Sequence, residues 1–325
     1  MDTALALRGV DKSFGTQRAV AGLDLVIPKG ETCGLIGPSG AGKSTAIRIL
    51  MSILFPDAGT VEVLGHRSAL EAKDRIGYLP EERGVYRKMR VGAFLGYLAG
   101  LKGMPEQQAA ARAKELLGKL GLEDVEKKKC EDLSKGMLQR VQFVGCIVHQ
   151  PELLILDEPF SGLDPVSVRL LKEVIAAERR RGTTILFSTH VMAQAEELCD
   201  RVVMIHKGRK VLDEPMARLK RRYDTSRVLF EPLDPGPGDA DALRGLPGVA
   251  VVTGRDGEYE LRLAAGTDPT AVIRDAAGRV LPARVEIARV RLEDMFVGIV
   301  KGEAGGESAE SLRQHLQGLT VGEGK

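Results

Sequence analysis

Residues 37–45 read GPSGAGKST, and no other stretch of the chain restricts its fold as tightly. The pattern G-x-x-x-x-G-K-S lies between an apolar run, TCGLIG at 32–37, and a helix-forming run, TAIRILMSIL at 45–54. Strand, glycine-rich turn and helix in that order build a loop whose backbone N–H groups converge on phosphate oxygens. Gly37, Gly40 and Gly42 let the backbone turn tightly, and the helix N-terminus adds partial positive charge. Lys43 then brings a full charge to the β and γ phosphates, and Ser44 offers a hydroxyl to Mg²⁺. Pro38, Ser39, Ala41 and Thr45 complete the segment and are grouped with it as nucleotide-binding residues. Nucleotide binding on an α/β scaffold is the first expectation.

Two further apolar runs follow, LLILDE at 153–158 and TTILFSTH at 183–190. Continuous hydrophobic stretches of this length suit strands buried on both faces of a parallel sheet. Each ends in polar or glycine-rich residues, and open α/β sheets bind ligands just beyond the carboxyl ends of their strands. Three separate stretches are thus expected to deliver polar groups to one edge. There Asp157 would hold Mg²⁺ through water, and Glu158 would act as general base for an attacking water.

Between residues 88 and 150 the pattern turns helical, with VGAFLGYLAGL and EQQAAARAKELLGKLGL carrying 3.6-type spacing and no clear strand between them. After about residue 215 the chemistry-bearing pattern stops. Residues 216–226 read as a linker, and 227–300 as a small α+β domain. In it VAVVT and EYELRL flank the hairpin signal GRDG, Asp268 and Pro269 start a short helix, Gly278 is placed to close it, and ARVEIARV and LEDMFVGIV follow as strand and helix. From 301 onward the polar, Gly-rich composition predicts disorder, with SAESLRQHLQGL a helical candidate. The four cysteines at 33, 130, 146 and 199 form no CxxC and have no histidine at ligand spacing, so they read as core residues. Forty-seven Lys and Arg against 45 Asp and Glu leave a formal charge of +2, without the basic excess of a nucleic-acid binder. No apolar stretch of the roughly 18 to 20 residues that a span needs is present. The N-terminal residues lack the h-region of a secretory signal, which predicts a cytoplasmic protein.

Over residues 5 to about 215 the chain resembles an ABC ATPase. The resemblance rests on GPSGAGKST as Walker A, LSKGM at 133–137 as the signature, LLILDE as Walker B, SGLD at 161–164 and His190 as the switch histidine, all in the family's order. It implies a P-loop NTPase fold of the ABC type, with a helical subdomain at about 88–150, ATP and Mg²⁺ as cofactors, and ATP hydrolysis. It also implies that Phe14, in KSFG, stacks on adenine and that His190 contacts the γ-phosphate. Glu81, in YLPEERG, occupies the place of a glutamine that approaches the metal. Lys135 and Met137 stand where the signature has Gly and Gln; the charges of Glu81 and Lys135 are expected partly to offset each other. The family further implies a head-to-tail dimer, homotypic or heterotypic, in which Ser134, Gly136 and Asp164 of one chain close over nucleotide held by the other.

The YLPEERGVYRKM and LSKGM segments resemble ATP-binding subunits of type-two ABC exporters, including the sodium-efflux branch, and the C-terminal RVRLEDMFVGIV more weakly so. This implies a peripheral subunit at the cytoplasmic face of the membrane, driving separately encoded transmembrane subunits, with no nucleic-acid partner. Segment 81–100 would receive a helix of the membrane partner, and Val85, Tyr86 and Met89 read equally as part of that surface or as core. A soluble ABC ATPase acting on ribosomes or nucleic acid is the alternative. Against it stand one nucleotide-binding domain rather than two and the absence of sustained heptads. A module without turnover is a third reading, opposed by Lys43, Asp157, Glu158 and His190.

Overall fold

The computed structural model describes residues 2–82, 84–222, 227–255, 257–264, 266–287, 292–293 and 295–297. The described residues divide into two compact units, those of 2–216 with 296–297, and those of 217–295.

In chain order the first unit contains β1 (Thr3–Phe14), β2 (Gln17–Pro28), β3 (Thr32–Ile36), α1 (Lys43–Leu50), β4 (Ala58–Val63), β5 (Ile76–Leu79), α2 (Val91–Leu101), α3 (Glu106–Lys119), α4 (Lys135–Ile147), β6 (Leu153–Asp157), α5 (Pro165–Arg180), β7 (Thr184–Thr189), α6 (Met192–Leu198), β8 (Arg201–His206) and β9 (Arg209–Pro215). The three apolar runs are β3, β6 and β7, and every residue in them is buried. They lie inside a six-stranded sheet of order β5-β6-β7-β3-β8-β9, whose first five strands are parallel and whose edge strand β9 runs antiparallel to β8. A second, antiparallel sheet has the order β2-β1-β4. In β2 the alternation is that of a half-buried strand: Leu23, Leu25 and Ile27 face the core, while Asp24 and Val26 face out.

A common core joins the two sheets through Leu5, Leu25, Ile27, Leu35, Ile47 of α1, Ile155 and Leu186. At Gly77 in β5 an added Cβ would sit 2.1 Å from the carbonyl oxygen of Cys146, so glycine lets α4 lie directly on the strand. The segment between β5 and β6 is helical, with α2, α3 and α4 packed on one another. All four cysteines are free and buried. Among the described residues no helix is long and apolar enough to cross a membrane.

Helix α7 (Met216–Arg222) follows β9. The second unit then contains β10 (Arg227–Pro232), α8 (Asp239–Arg244), β11 (Val249–Arg255), β12 (Glu258–Leu263), α9 (Pro269–Arg279) and β13 (Pro282–Ile287). Its sheet is antiparallel with order β11-β12-β10-β13, which makes the βαββαβ plait of ferredoxin-like domains. Val228, Phe230, Leu243, Leu261, Val272 and Ala276 form its own core.

The structure differs from the sequence reading at several joints. Residues 216–222 of the expected linker are helical, and 223–226 lie outside the described residues. The hairpin strands extend into GRDG, since β11 includes Gly254 and Arg255. Asp268 does cap α9, its carboxylate accepting from the Thr270 N–H at 3.0 Å, but the helix runs through Gly278 to Arg279. Phe296, assigned by sequence to the second domain, groups with the first unit, where its ring meets His206 edge-on at 5.7 Å. Residues 288–291 and the tail from 298 onward lie outside the described residues.

Candidate nucleotide site

The carboxyl ends of β3, β6 and β7 are adjacent because those strands are neighbours in one parallel sheet, and each hands over to a polar segment there. After β3 the chain turns through residues 37–42 into α1. Gly42 takes the N-cap position with φ +108°, and no side chain caps the helix, which leaves its first-turn N–H groups to a ligand. A Cβ on Gly42 would lie 2.3 Å from the carbonyl oxygen of Ala19, and one on Gly37 2.2 Å from that of Ile205. The loop is therefore wedged against neighbouring backbone, and the Gly208 N–H donates to the Ala41 carbonyl at 2.9 Å. Ser39 and Gly40 are exposed, while Ala41 and Lys43 are buried and Pro38, Ser44 and Thr45 half-buried.

The Lys43 ammonium folds back over its own loop and donates to the carbonyls of Gly37 (2.8 Å) and Pro38 (3.1 Å). It lies 3.8 Å from Glu158 Oε1. Burial holds its pKa below the ordinary lysine range, opposed by Glu158, Asp157 and Glu81. Glu158 Oε1 is also 3.0 Å from His190 Nδ1. That contact raises the histidine pKa above its ordinary value, against the effect of burial. Asp157 is 2% exposed. Its pKa is raised, chiefly by burial, although hydroxyl hydrogen bonds from Ser188 and Ser44 (3.3 Å) favour the carboxylate. Lys43, Ser44, Asp157, Glu158 and His190 thus share one cluster, Lys43 joined by an ion pair and the others by hydrogen bonds.

Glu81 lies just beyond β5, exposed. Its carboxyl is held above the ordinary range by partial burial first and then by Asp157 and Glu158, with Lys43 and Arg48 opposing. Phe14, at the end of β1, is 49% exposed with the Lys12 ammonium 5.7 Å from its ring centre. Ser134 caps α4 by accepting from the Met137 N–H at 3.3 Å, and Lys135 and Gly136 open that helix. Asp164 caps α5, accepting from the Ser167 N–H at 2.9 Å and from its hydroxyl, and these bonds lower its pKa. Among the described residues no hydrogen bond or ion pair joins Phe14, Ser134, Gly136 or Asp164 to the Lys43–His190 cluster, so the single chain does not bring them into it.

The chemistry of the donors fits magnesium. Asp157, Ser44 and Glu81 offer hard oxygens, and Mg²⁺ is usually held by one or two carboxylates plus substrate phosphates and water. Among the described residues no group of three His, Cys, Asp or Glu side chains could hold a metal unaided.

Sequence reasoning missed two residues here. Ser188 of β7 lies opposite Asp157 of β6 in the parallel register and also accepts from the Glu158 N–H at 3.1 Å. Gln139 of α4 donates to the Pro159 carbonyl at 2.7 Å, tying the LSKGM helix to the turn after Glu158. For Ser188 the available signal was a polar residue inside an apolar run, two places before His190.

Residues 20–161 match the family model for ABC transporters. The chain is 44% identical over 224 residues to the uncharacterized ABC transporter ATP-binding protein YhaQ of Bacillus subtilis (strain 168), covering 69% of this chain and 75% of that one. It is 34% identical over 258 residues to the daunorubicin resistance ATP-binding protein DrrA3 of Streptomyces coeruleorubidus, covering 78% and 82%. Among solved structures, one described as the ATP-binding subunit of an ABC transporter superposes with a TM-score of 0.63 at 31% identity, over 68% of this chain and 93% of that one. With a phosphate loop, an acidic strand end and a histidine already gathered at one sheet edge, these likenesses establish that the chain belongs to the ATP-binding, ATP-hydrolysing subunits of ABC transporters.

Proposed function

We propose that the chain powers export through separately encoded membrane subunits by closing head to tail on two Mg-ATP molecules. The observation that carries the reading is the cluster at the sheet edge, where Glu158 Oε1 faces both Lys43 at 3.8 Å and His190 at 3.0 Å. In this reading Phe14 stacks on adenine, and the backbone N–H groups of residues 39–45 surround the phosphates. Lys43 exchanges the carbonyls of Gly37 and Pro38 for phosphate oxygens. Ser44, Asp157 and Glu81 would hold Mg²⁺, which when bound would supply positive charge against the phosphates. Glu158 accepts the proton of the attacking water, and His190 steadies Glu158 and the γ-phosphate. Ser134 and Asp164, both exposed, and the half-buried Gly136 lie at helix starts and come from the opposing chain.

The second unit is an accessory domain in this reading. Export is supported by the likeness to DrrA3, whose name records daunorubicin resistance. Tyr86 is exposed and stacks edge-on with Phe94 (6.4 Å) and Tyr97 (5.7 Å), while Val85 and Met89 are half-buried. This aromatic surface is the one offered to a membrane subunit, which would hold the chain at the cytoplasmic face.

Light scattering of Glu158→Gln with and without Mg-ATP tests the proposal. Removing the base should hold ATP unhydrolysed and convert monomer to dimer, while the unmodified chain turns ATP over. A Glu158→Gln chain that hydrolyses ATP at the unmodified rate would refute the assigned base. A mass unchanged by ATP, with or without the membrane subunits, would refute ATP-driven closure.

A further inference from the structure

We infer that Ser188 is a positioning residue for hydrolysis, a single hydroxyl that locks the metal-side carboxylate of Asp157 and the backbone of Glu158 into one unit. The inference rests on the roles assigned above to those two acids. Ser188 is fully buried in β7, among strand residues that are buried throughout. A hydroxyl in such a place loses its water and is retained without penalty only when hydrogen-bonded. Both of its capacities are used: it donates to Asp157 Oδ1 and accepts from the Glu158 N–H at 3.1 Å.

What it holds needs holding. Glu158 has φ +49°, in the left-handed region that a side chain with a Cβ adopts reluctantly. It also precedes Pro159, which restricts it further. The chain leaving β7 reaches His190 two residues after Ser188, and His190 meets the Glu158 carboxylate at 3.0 Å. The end of β7 and the residue just beyond it therefore grip Glu158 at two points, its amide and its carboxylate. Asp157 Oδ1, meanwhile, is shared between the hydroxyls of Ser188 and Ser44, the latter at 3.3 Å. Without the Ser188 hydroxyl, the Glu158 amide loses its acceptor, Asp157 Oδ1 keeps only the longer bond from Ser44, and the bend that aims the base loses a restraint. A valine, which has the shape of threonine without its hydroxyl, would restore none of this.

Ser188→Ala, Ser188→Val and Ser188→Thr separate the hydroxyl from its volume. Four quantities are measured on the full chain: turnover at saturating Mg-ATP, KM, the affinity for a fluorescent ATP analogue in EDTA and in Mg²⁺, and the thermal midpoint. Alanine and valine are expected to lower kcat by roughly 10- to 100-fold, the usual cost of removing a partner that orients a ligating group. They should also reduce the gain in affinity that Mg²⁺ confers, while affinity in EDTA stays within about twofold. Threonine keeps the hydroxyl and should recover kcat.

The inference is overturned if alanine turns over at the wild-type rate, if threonine is as impaired as valine, or if the loss is confined to KM. Equal losses of thermal midpoint and turnover in all three variants would reduce Ser188 to a packing residue and overturn it as well. Asp157→Asn and Glu158→Gln are run alongside. If both retain wild-type turnover, the reading of the site falls and takes Ser188 with it. If both are inactive and Ser188→Ala is not, the role of Ser188 alone falls.

Discussion

Glu178, in the last turn of α5, is 3% exposed and meets two guanidinium groups. Arg112 of α3 donates from Nη2 to Oε1 at 3.3 Å, and Arg181 donates from Nε to Oε2 at 2.9 Å. The Thr183 hydroxyl adds a contact at 3.4 Å. One buried carboxylate thus connects a helix of the segment between β5 and β6 to the turn entering β7. Removing one member of a fully buried pair costs about 3–5 kcal/mol, mostly through the charge left behind. Here the arginine side chains are 19% and 33% exposed, so water recovers part of that loss. Glu178→Ala should therefore cost about 2–3 kcal/mol. At ~2–4 °C per kcal/mol for a unit of this size, the thermal midpoint should fall by about 4–12 °C. Glu178→Gln keeps the volume and an acceptor oxygen but loses the charge, and should fall by about half as much.

The assay is calorimetry of nucleotide-free protein at pH 7, with Arg112→Ala and the double variant completing a cycle. A coupling of about 1 kcal/mol or more is expected between residues in direct contact. A midpoint shift under about 1 °C for alanine, or a glutamine variant as damaged as alanine, would refute the argument from burial and pairing.

Gly42→Ala should abolish measurable nucleotide binding with little effect on the second unit, because the new methyl meets the Ala19 carbonyl at 2.3 Å and φ is +108°; undiminished binding of a fluorescent ATP analogue would contradict the wedged-loop geometry. His149 donates from Nε2 to the Ile76 carbonyl at 3.2 Å, and burial, helped by Lys102, pushes its pKa down to about 4 from 6.5. The unfolded chain then takes up a proton before the folded one does, so stability falls as pH drops from 6.5 towards 4, by up to ~3 kcal/mol. His149→Gln should flatten that acid limb when thermal midpoints are compared at pH 7 and 4.5, and an unchanged slope would exclude His149 as its source.

The part of the site that was legible in sequence is the part written as continuous apolar runs. β3, β6 and β7 are buried on both faces, so they show as unbroken hydrophobic stretches, and their ends locate Lys43, Asp157, Glu158 and His190 without further help. The hairpin of β1 and β2 was less visible, because register shifts between Leu7 and Val10 and again near Lys12 interrupt its alternation. β5 is only four residues long and reads as part of the segment around it. Ser188 could not be found from composition, since its meaning depends on the parallel register that sets it against Asp157. Helix α7 was hidden for a different reason: MARLKRR has the charge of an exposed tether, and local propensity gave it a helix all the same.

The buried cysteines have a practical consequence. Burial pushes all four thiols above their ordinary range, Cys146 to about 12, so little thiolate is present at neutral pH. Since the thiolate is the reacting species, the folded chain should be nearly silent towards maleimides and oxidants. A cysteine introduced at an exposed position, such as Ser161 beside the start of α5, would then be the one fast-labelling thiol in an otherwise native background. A fluorophore there would test the proposed head-to-tail closure in real time, without first stripping the protein of its own cysteines.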